Sequence, residues 1–506
     1  MTTAGDLRRF DPHSSSPVRL LAEQALSRAA GAPLVPGNRV RLLRDAQENY
    51  PAWLAAIAAA KRVILFENYI IENDATGEEF VDALAARARA GITVCVIYDW
   101  FGGIGLGSRR LLEPLIAAGG EVRAFNPPSF GSPFGLMQRD HRKMMTVDGA
   151  VGYVSGLCVS RRWVGDAARG IGPWRDTGLE ITGPAVADIE RAFAQVWAAA
   201  GAPLPADAFS DPAAIPHTGD ITLRVLANQP NVANLYRLDQ LIAAMATRTL
   251  WLTDAYFVGL PAYVQALRAA AQDSVDVRLL VPGASNLFAV STLSRTGYRS
   301  LLEGGIRVFE WNGPMLHAKT AVADGRWARV GSTNLNLTSW MGNYELDIAI
   351  EDSGFAAEME AMYEDDLLNA TEILLSPRNR VRPTAKVARV RGRFRGSASR
   401  AAAGALRIGN TVGAAITNHR VLGPAEAGIM AAMGLAILGL VAIGVLWPLA
   451  VVAPVGLVGV WIAVSLLIRA FVLRREGAEN ARAAKAVPAA NGAEKSAARE
   501  NGQDAR

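Results

Sequence analysis

Arg139-Asp140-His141-Arg142-Lys143, running on through Met144-Met145-Thr146-Val147 to Asp148, is the stretch around which the chain is organised. Its pattern returns 176 residues further on as His317-Ala318-Lys319, again with an aspartate, Asp324, seven positions after the histidine. The chain has only five histidines, and two of them sit in this frame. A histidine and a lysine two apart share one face of a β-strand, because strand side chains alternate with period two. The apolar and β-branched residues that follow, Met144 to Val147 and Thr320 to Val322, suit strands. A single His-x-Lys would read as the polar fringe of a solvated strand. Two copies with the aspartate in register, each followed by a segment rich in glycine and serine, read as one site built twice, with two imidazoles and two ammonium groups around a single anion.

Working outward from the two copies, the apolar periodicity predicts strands at residues 39–43, 63–71, 92–98 and 121–125, with helices at 45–60, 78–90 and 109–118. The last of these helices ends at Gly119-Gly120. A second series follows, with strands at 221–227, 250–256, 275–281 and 306–310 and helices at 263–271 and around 298–302, before Gly304-Gly305. The helix, glycine pair and strand before His317 echo those before His141. The chain is therefore expected to be an internal duplication, with its boundary in the Pro- and Ala-rich residues 201–218. Alternating strands and helices predict a mainly parallel α/β sheet in each half.

Two cysteines, Cys95 and Cys158, leave no disulfide framework, so a reducing compartment is expected. The first forty residues lack the basic end and apolar run of a signal peptide, and residues 1–36 read as a poorly ordered lead with one short helix at Pro17–Ala30. Net charge is +5, from 52 basic and 47 acidic residues. Ten of the basic residues lie between positions 377 and 407, a span without any acid. Outside it 42 basic residues face 47 acidic ones, so the basicity belongs to a linker and nucleic acid is not the expected partner.

Residues 427–446 and 449–468 are two uncharged runs of 20, separated by Trp447-Pro448. Twenty apolar residues match a bilayer core of about 30 Å, so the runs predict a transmembrane helical hairpin. Arginines flank both outer ends, namely Arg420 and the linker before it and Arg469, Arg474 and Arg475 after it, which places both ends on the cytoplasmic side. The predicted organisation is a lead (1–36), two duplicated α/β halves (37–205 and 206–372), a basic juxtamembrane linker (373–426), two membrane helices (427–468) and a disordered tail (469–506).

The duplicated motif supplies what cleavage of a phosphodiester needs. One histidine attacks phosphorus, the other protonates the leaving alcohol, and Lys143 and Lys319 neutralise the phosphoryl oxygens, without metal or other cofactor. The chain resembles the phospholipase D superfamily, whose signature is a duplicated HxKxxxxD, over about residues 37–370. It is most similar to the bacterial cardiolipin synthase branch through Arg139-Asp140-His141-Arg142-Lys143, Leu316-His317-Ala318-Lys319-Thr320, Val330-Gly331-Ser332-Thr333-Asn334-Leu335-Asn336 and Asn343-Tyr344-Glu345.

The resemblance implies two α/β/α sandwich halves with a shared active site and a phosphohistidine intermediate, with His141 favoured as nucleophile. It implies that Glu345 orients His317, that Asp176 in Pro173-Trp174-Arg175-Asp176 orients His141, and that Ser332 and Asn334 donate to phosphate. Asp148 and Asp324, each before a glycine, complete the motif as turn residues that fix its strand. Two departures stand out: Cys158 occupies the first-half position of the amide donor, and Leu337 stands where an arginine is common. A thiol is the weaker donor.

The implied activity is phosphatidyl transfer between two phosphatidylglycerol molecules at the bacterial inner membrane, with the catalytic halves facing the cytoplasm. A phospholipase D or a transphosphatidylase using another alcohol would carry the same residues, since the chemistry diverges only at the acceptor. A phosphodiester nuclease is opposed by the acidic balance outside the linker, and a membrane scaffold with a relic site by the two intact motifs.

Overall fold

The computed structural model describes residues 17–375 apart from 105–106, 129–137, 206–207 and 284–296, together with 381–383 and scattered positions between 435 and 471. The chain divides into two units, one of residues 1–127 and 137–433 and the other of residues 128–136 and 434–506. All the elements below belong to the first.

The strands of the first half are β1 (Val35–Arg44), β2 (Val63–Asn68), β3 (Thr93–Asp99), β4 (Glu121–Phe125), β5 (Arg139–Asp140), β6 (Lys143–Val147), β7 (Val151–Ser155) and β8 (Thr177–Thr182). Those of the second are β9 (Ile221–Asn228), β10 (Thr249–Thr253), β11 (Asp276–Pro282), β12 (Arg307–Trp311), β13 (Thr320–Ala323), β14 (Trp327–Gly331), β15 (Asn343–Glu351) and β16 (Ala370–Leu375). The first sheet runs β4-β3-β2-β6-β7-β8-β1. The second repeats it as β12-β11-β10-β13-β14-β15-β9, with β16 added beside β12.

Only the β2-β3-β4 and β10-β11-β12 neighbours are parallel, and the remaining pairs of each sheet are antiparallel. The expected mainly parallel sheet is therefore a mixed one. The reason lies after each motif strand, where Asp148-Gly149 and Asp324-Gly325 all take positive φ, at 56°, 66°, 55° and 63°. A left-handed Asp-Gly pair matches the twist of a tight hairpin and returns the chain antiparallel.

Each sheet is covered on both faces. Val63 and Leu65 of β2 enter a core shared by the two halves, with Phe193 and Trp197 of the helix Val186–Ala199 and with Val330, Leu346, Ile348 and Met359. Their neighbours Ile64 and Phe66 point the other way, into a core with Trp53, Phe80 and Leu84. Each such side chain contributes about 1.5–3 kcal/mol when fully buried, so the shared core holds the halves in one register. The helix Ala75–Arg89 starts where the Asp74 carboxylate accepts from the Thr76 and Gly77 amides, both at 3.0 Å. Ser353–Leu368 starts likewise at Asp352, which accepts from the Phe355 amide at 2.7 Å.

Three further expectations change. The lead's helix, Pro17–Ala30, is docked rather than loose: Leu26 and Ala30 pack into the core of the second half with Leu235 and Leu238. The helix expected at 109–118 is two short ones, Ser108–Leu111 and Glu113–Ala117, because Pro114 cannot donate into a continuing helix. The second half's sheet continues to Leu375, past the expected linker boundary at 373. Of the expected membrane hairpin and tail, most residues lie outside the described ones. Among the described residues no helix is long and apolar enough to cross a membrane.

The halves also meet through their backbones. β1 pairs antiparallel with β9, and β5 lies parallel to the start of β15, with Arg139 opposite Asn343 and Asp140 opposite Tyr344. Arg175 forms the equivalent parallel bridge to Leu316.

Candidate active site

His141 and His317 each stand just before their motif strand, where the chain has left one ladder and not yet entered the next. The His141 amide donates to the Tyr344 carbonyl at 2.9 Å and the His317 amide to the Arg175 carbonyl at 2.7 Å. Tyr344 and Arg175 directly precede the two candidate carboxylates, Glu345 and Asp176. These backbone crossings decide which carboxylate each imidazole meets.

The pairing is the reverse of the one expected. Nδ1 of His141 lies 2.9 Å and 3.0 Å from the two oxygens of Glu345. Nδ1 of His317 lies 2.7 Å from Oδ2 of Asp176. Each histidine is thus oriented by a carboxylate from the opposite half, and all four groups are buried. A carboxylate on Nδ1 fixes that nitrogen as the N–H and leaves the lone pair on Nε2 for chemistry.

Both carboxylates are held on their other sides. Glu345 accepts from Ser332 Oγ at 2.5 Å and from Asn343 Nδ2 at 3.1 Å. Asp176 accepts from Trp163 Nε1 at 2.8 Å and from the Thr177 amide at 2.9 Å. Although burial works against ionisation, His317 and Lys319 hold the Asp176 carboxyl down at about 2. His141 and Lys143 likewise outweigh burial and lower Glu345.

Burial, with Lys143 and Lys319 adding to it, brings His141 down to about 4. Burial and then the adjacent Lys319 bring His317 down to about 3, with Lys143 acting in the same direction. Each imidazole therefore feels both ammonium groups, so the two motifs lie close together. Burial also lowers Lys319 to about 8, with Lys143 contributing and Asp176 opposing. Lys143 and Lys319 each donate back to the carbonyl of the histidine two residues earlier. Lys319 Nζ also lies 2.9 Å from His317 Nδ1. That nitrogen gives its one hydrogen to the ionised Asp176, so the lysine acts on it as a charge and not as a donor.

Asp148 and Asp324 stand apart from this cluster. The Asp148 carboxylate accepts from the amides of Lys61, Arg62 and Val63 at 2.8, 2.7 and 2.9 Å. Asp324 does the same for Thr247, Arg248 and Thr249 at 2.9, 2.7 and 3.0 Å. Each ties the far end of the motif strand to the start of its neighbour, roughly 20 Å along the chain from the histidine at about 3.3 Å per residue. They are anchors, as turn residues should be, and not groups that touch substrate.

Ser332 departs from its expected role, because its hydroxyl is spent on Glu345 and also accepts from the Leu346 amide at 2.9 Å. Asn334 is different: its side-chain oxygen and nitrogen are both buried and bonded to no described residue, which leaves the amide available to a phosphate. Cys158 is buried, with Lys143, Lys319 and Asp176 among the charges acting on it.

Sequence reasoning missed the aromatic walls. Tyr69 packs edge-on against His141 at 5.0 Å, and Tyr256 against His317 at 5.8 Å. Lys143 Nζ lies 5.2 Å from the Tyr69 ring centroid and Lys319 Nζ 5.9 Å from that of Tyr256. Both tyrosines follow the second strand of their half, so the duplication held the signal. Trp163 and Trp174 also pack on His317, at 5.3 and 5.7 Å, which makes its surroundings the more apolar of the two.

Comparison with known proteins adds to this geometry. A family model described as "Cardiolipin synthase, PLD-like domain" matches residues 239–367. Cardiolipin synthase A of Pseudomonas aeruginosa (strain LESB58) is 34% identical over 367 residues, which cover 71% of this chain and 73% of that protein. Cardiolipin synthase A of Pseudomonas fluorescens (strain SBW25) is 32% identical over 355 residues, covering 69% and 73%. Among solved structures, the phosphatidylserine synthase of Haemophilus influenzae Rd KW20 superposes with a TM-score of 0.56 at 14% identity, covering 69% of this chain and 91% of that one, a likeness of fold.

Proposed function

The chain belongs to the cardiolipin synthase family of phospholipase D-like enzymes, and on that premise we propose that it transfers a phosphatidyl group from one phosphatidylglycerol to another through a phosphohistidine, releasing glycerol. The observation that carries this reading is the pair of crossed dyads, His141 with Glu345 and His317 with Asp176, buried with Lys143 and Lys319, both of which act on each histidine.

In the first step the neutral Nε2 of His141 attacks phosphorus, and the bond to the glycerol oxygen breaks. His317 gives that oxygen its proton, so glycerol leaves as a neutral alcohol. Unliganded, His317 is neutral near pH 7, and the negative charge of an entering phosphodiester raises its proton affinity. Lys143 and Lys319 stabilise the charge that builds on the non-bridging oxygens. In the second step the neutral His317 takes the proton of an incoming glycerol hydroxyl, which attacks the phosphohistidine and frees His141. Glu345 and Asp176 steady the imidazolium on each side.

The substrate is an anionic lipid, and the reading extends to the membrane. Residues 427–468 form the anchoring hairpin, the basic residues 377–407 lie against the anionic inner leaflet, and the catalytic halves face the cytoplasm of a bacterium. Support comes from described positions of the second unit, where Leu435, Leu438, Leu446, Leu457, Leu467 and Phe471 are helical and exposed. Exposed apolar side chains of this size on helices call for an apolar medium.

The test is lipid mass spectrometry of host membranes with and without the gene. Cardiolipin should rise at the expense of phosphatidylglycerol. Phosphatidic acid in its place would make water the acceptor, and an unchanged lipid profile would overturn the reading.

A further inference from the structure

Directly before His141, a second pair of acidic groups lies buried outside the dyads. Glu67 on β2 and Asp140 on β5 are fully buried, and their carboxyl groups are within hydrogen-bond reach of each other. Neither Glu67 oxygen, nor Oδ2 of Asp140, receives a hydrogen from any described residue. The other oxygen of Asp140 accepts from the Arg142 amide at 3.2 Å, closing the turn that carries His141.

The charges around this pair can be counted. Arg142 is fully buried beside it, yet its guanidinium donates to the Glu345, Ala192 and Asn228 carbonyls and to Gln195, so it supplies charge and no hydrogen bond. Asp99, at the end of β3, is matched by Arg139 at 3.1 Å and also accepts from the Asp140 amide at 2.9 Å. Lys143, which acts on Glu67, lies beside Glu345, and Tyr344 from β15 packs against Arg142 as a neutral phenol. Among the described residues, Arg142 is thus the cation beside these two carboxylates that has no other carboxylate as its partner. With no other donor among the described residues, the stable state has one carboxylic acid bonded to one carboxylate.

We propose that Glu67 is a positioning residue for His141, sharing one proton with Asp140 so that an acid–carboxylate pair clamps the turn on which the imidazole stands. It rests on the assignment of His141 as a reacting group in phosphatidyl transfer. Burial raises both carboxyls, Asp140 to about 7 and Glu67 well above the ordinary range, in keeping with Glu67 as the donor. When the shared proton leaves, two buried carboxylates face each other and Asp140 swings from the Arg142 amide. The His141 turn then loses its closure.

The proposal separates charge from shape. Glu67→Gln donates an amide hydrogen to an ionised Asp140, and Asp140→Asn donates one to an ionised Glu67. Each keeps one donor and one negative charge against Arg142. Glu67→Ala removes the contact, and the double variant Glu67→Gln/Asp140→Asn leaves Arg142 without a counter-charge.

The experiment measures cardiolipin formation by full-length protein in phosphatidylglycerol vesicles across pH, with thermal melts as a folding control. At neutral pH each single amide variant should stay within about threefold of wild type, while Glu67→Ala and the double variant fall by about 10²-fold, the scale of a misplaced reacting group. Both amide variants should also keep their activity to higher pH than wild type. An infrared carbonyl band of a buried protonated carboxyl should be present in wild type and absent from Glu67→Gln.

If the alkaline fall stays where it is in both single variants, it belongs to Lys319 alone and the proposal is overturned. It is also overturned if Glu67→Gln is as damaging as Glu67→Ala, or if the infrared band persists in Glu67→Gln. Wild type that makes no cardiolipin in the same vesicles would instead overturn the assignment of function, and the infrared result would still decide the shared proton.

Discussion

His141 takes its carboxylate partner, Glu345, from 204 positions away in the other half of the chain, at 2.9 Å, and His317 repeats the relationship with Asp176. Sequence proximity would pair each histidine within its own half, so the crossing has consequences of its own for mutants.

With crossed dyads, Glu345→Gln impairs the step that depends on His141, and Asp176→Asn the step that depends on His317. Each should lower cardiolipin formation by about 10²-fold, the scale of losing a positioned acid or base. An aryl phosphodiester, whose leaving group needs no proton, tells them apart. It should restore first-step turnover to Asp176→Asn and leave Glu345→Gln slow. Restoration of Glu345→Gln instead would interchange the two histidines' roles.

His141→Ala and His317→Ala should each lose at least about 10²-fold. With the same aryl substrate, His317→Ala should accumulate a phosphohistidine, seen as an acid-labile mass increment on the peptide carrying His141. Full activity in either alanine variant would remove the mechanism.

The two lowered histidines should cost stability in mild acid, against the opposite contribution of the raised Glu67 and Asp140 carboxyls. Unfolded, the histidines protonate near 6.5; folded, at about 4 and about 3. Between those values the unfolded histidines bind more protons than the folded ones, so their contribution is full above about 6.5 and is lost as pH drops. Asp176, held at about 2, adds to the same trend below the ordinary carboxylate range. Over pH 7 to pH 4 the melting temperature of wild type should drop relative to that of His317→Gln, which lacks one of the two lowered groups.

Asp148→Ala and Asp324→Ala should act on folding rather than on chemistry. Each strips three backbone amides of their acceptor and puts alanine at positive φ, a loss of about 1–3 kcal/mol or more. The measurement is a denaturant midpoint beside a rate per folded molecule. The midpoint should drop while the rate stays near wild type.

Arg175 is buried between two carboxylates, with Nε and Nη2 on Asp366 at 2.8 and 2.9 Å and Nη1 on Asp45 at 3.2 Å. Removing it as Arg175→Met leaves those acids without their cation, a cost of about 3–5 kcal/mol. A calorimetric melt should show it, and Asp366→Asn should recover part of the loss.

Much of this was legible before any coordinates. The histidines, lysines and turn aspartates announced themselves by recurrence, and most strands by apolar runs with glycine or aspartate at their ends. The crossing was not legible, because it depends on β5 lying along β15 and Arg175 along Leu316, contacts made only when two sheets share a core. Ser332 was misjudged for a similar reason. A hydroxyl can serve a substrate or a neighbouring carboxylate, and only the fold puts Glu345 at 2.5 Å. Tyr69 and Tyr256 could have been found by aligning the halves at their second strands. Glu67 and Asp140 could not, since two acids on separate strands reveal a common proton only once both are known to be dry.

The chain crossings that deliver Glu345 to His141 and Asp176 to His317 bear also on the protein's own synthesis. A ribosome that has released only the first half has exposed a histidine without its acid and an aspartate without its histidine. The nascent chain then holds neither complete dyad. Both dyads are completed in one event, when the later repeat docks, so a product truncated between the repeats lacks both.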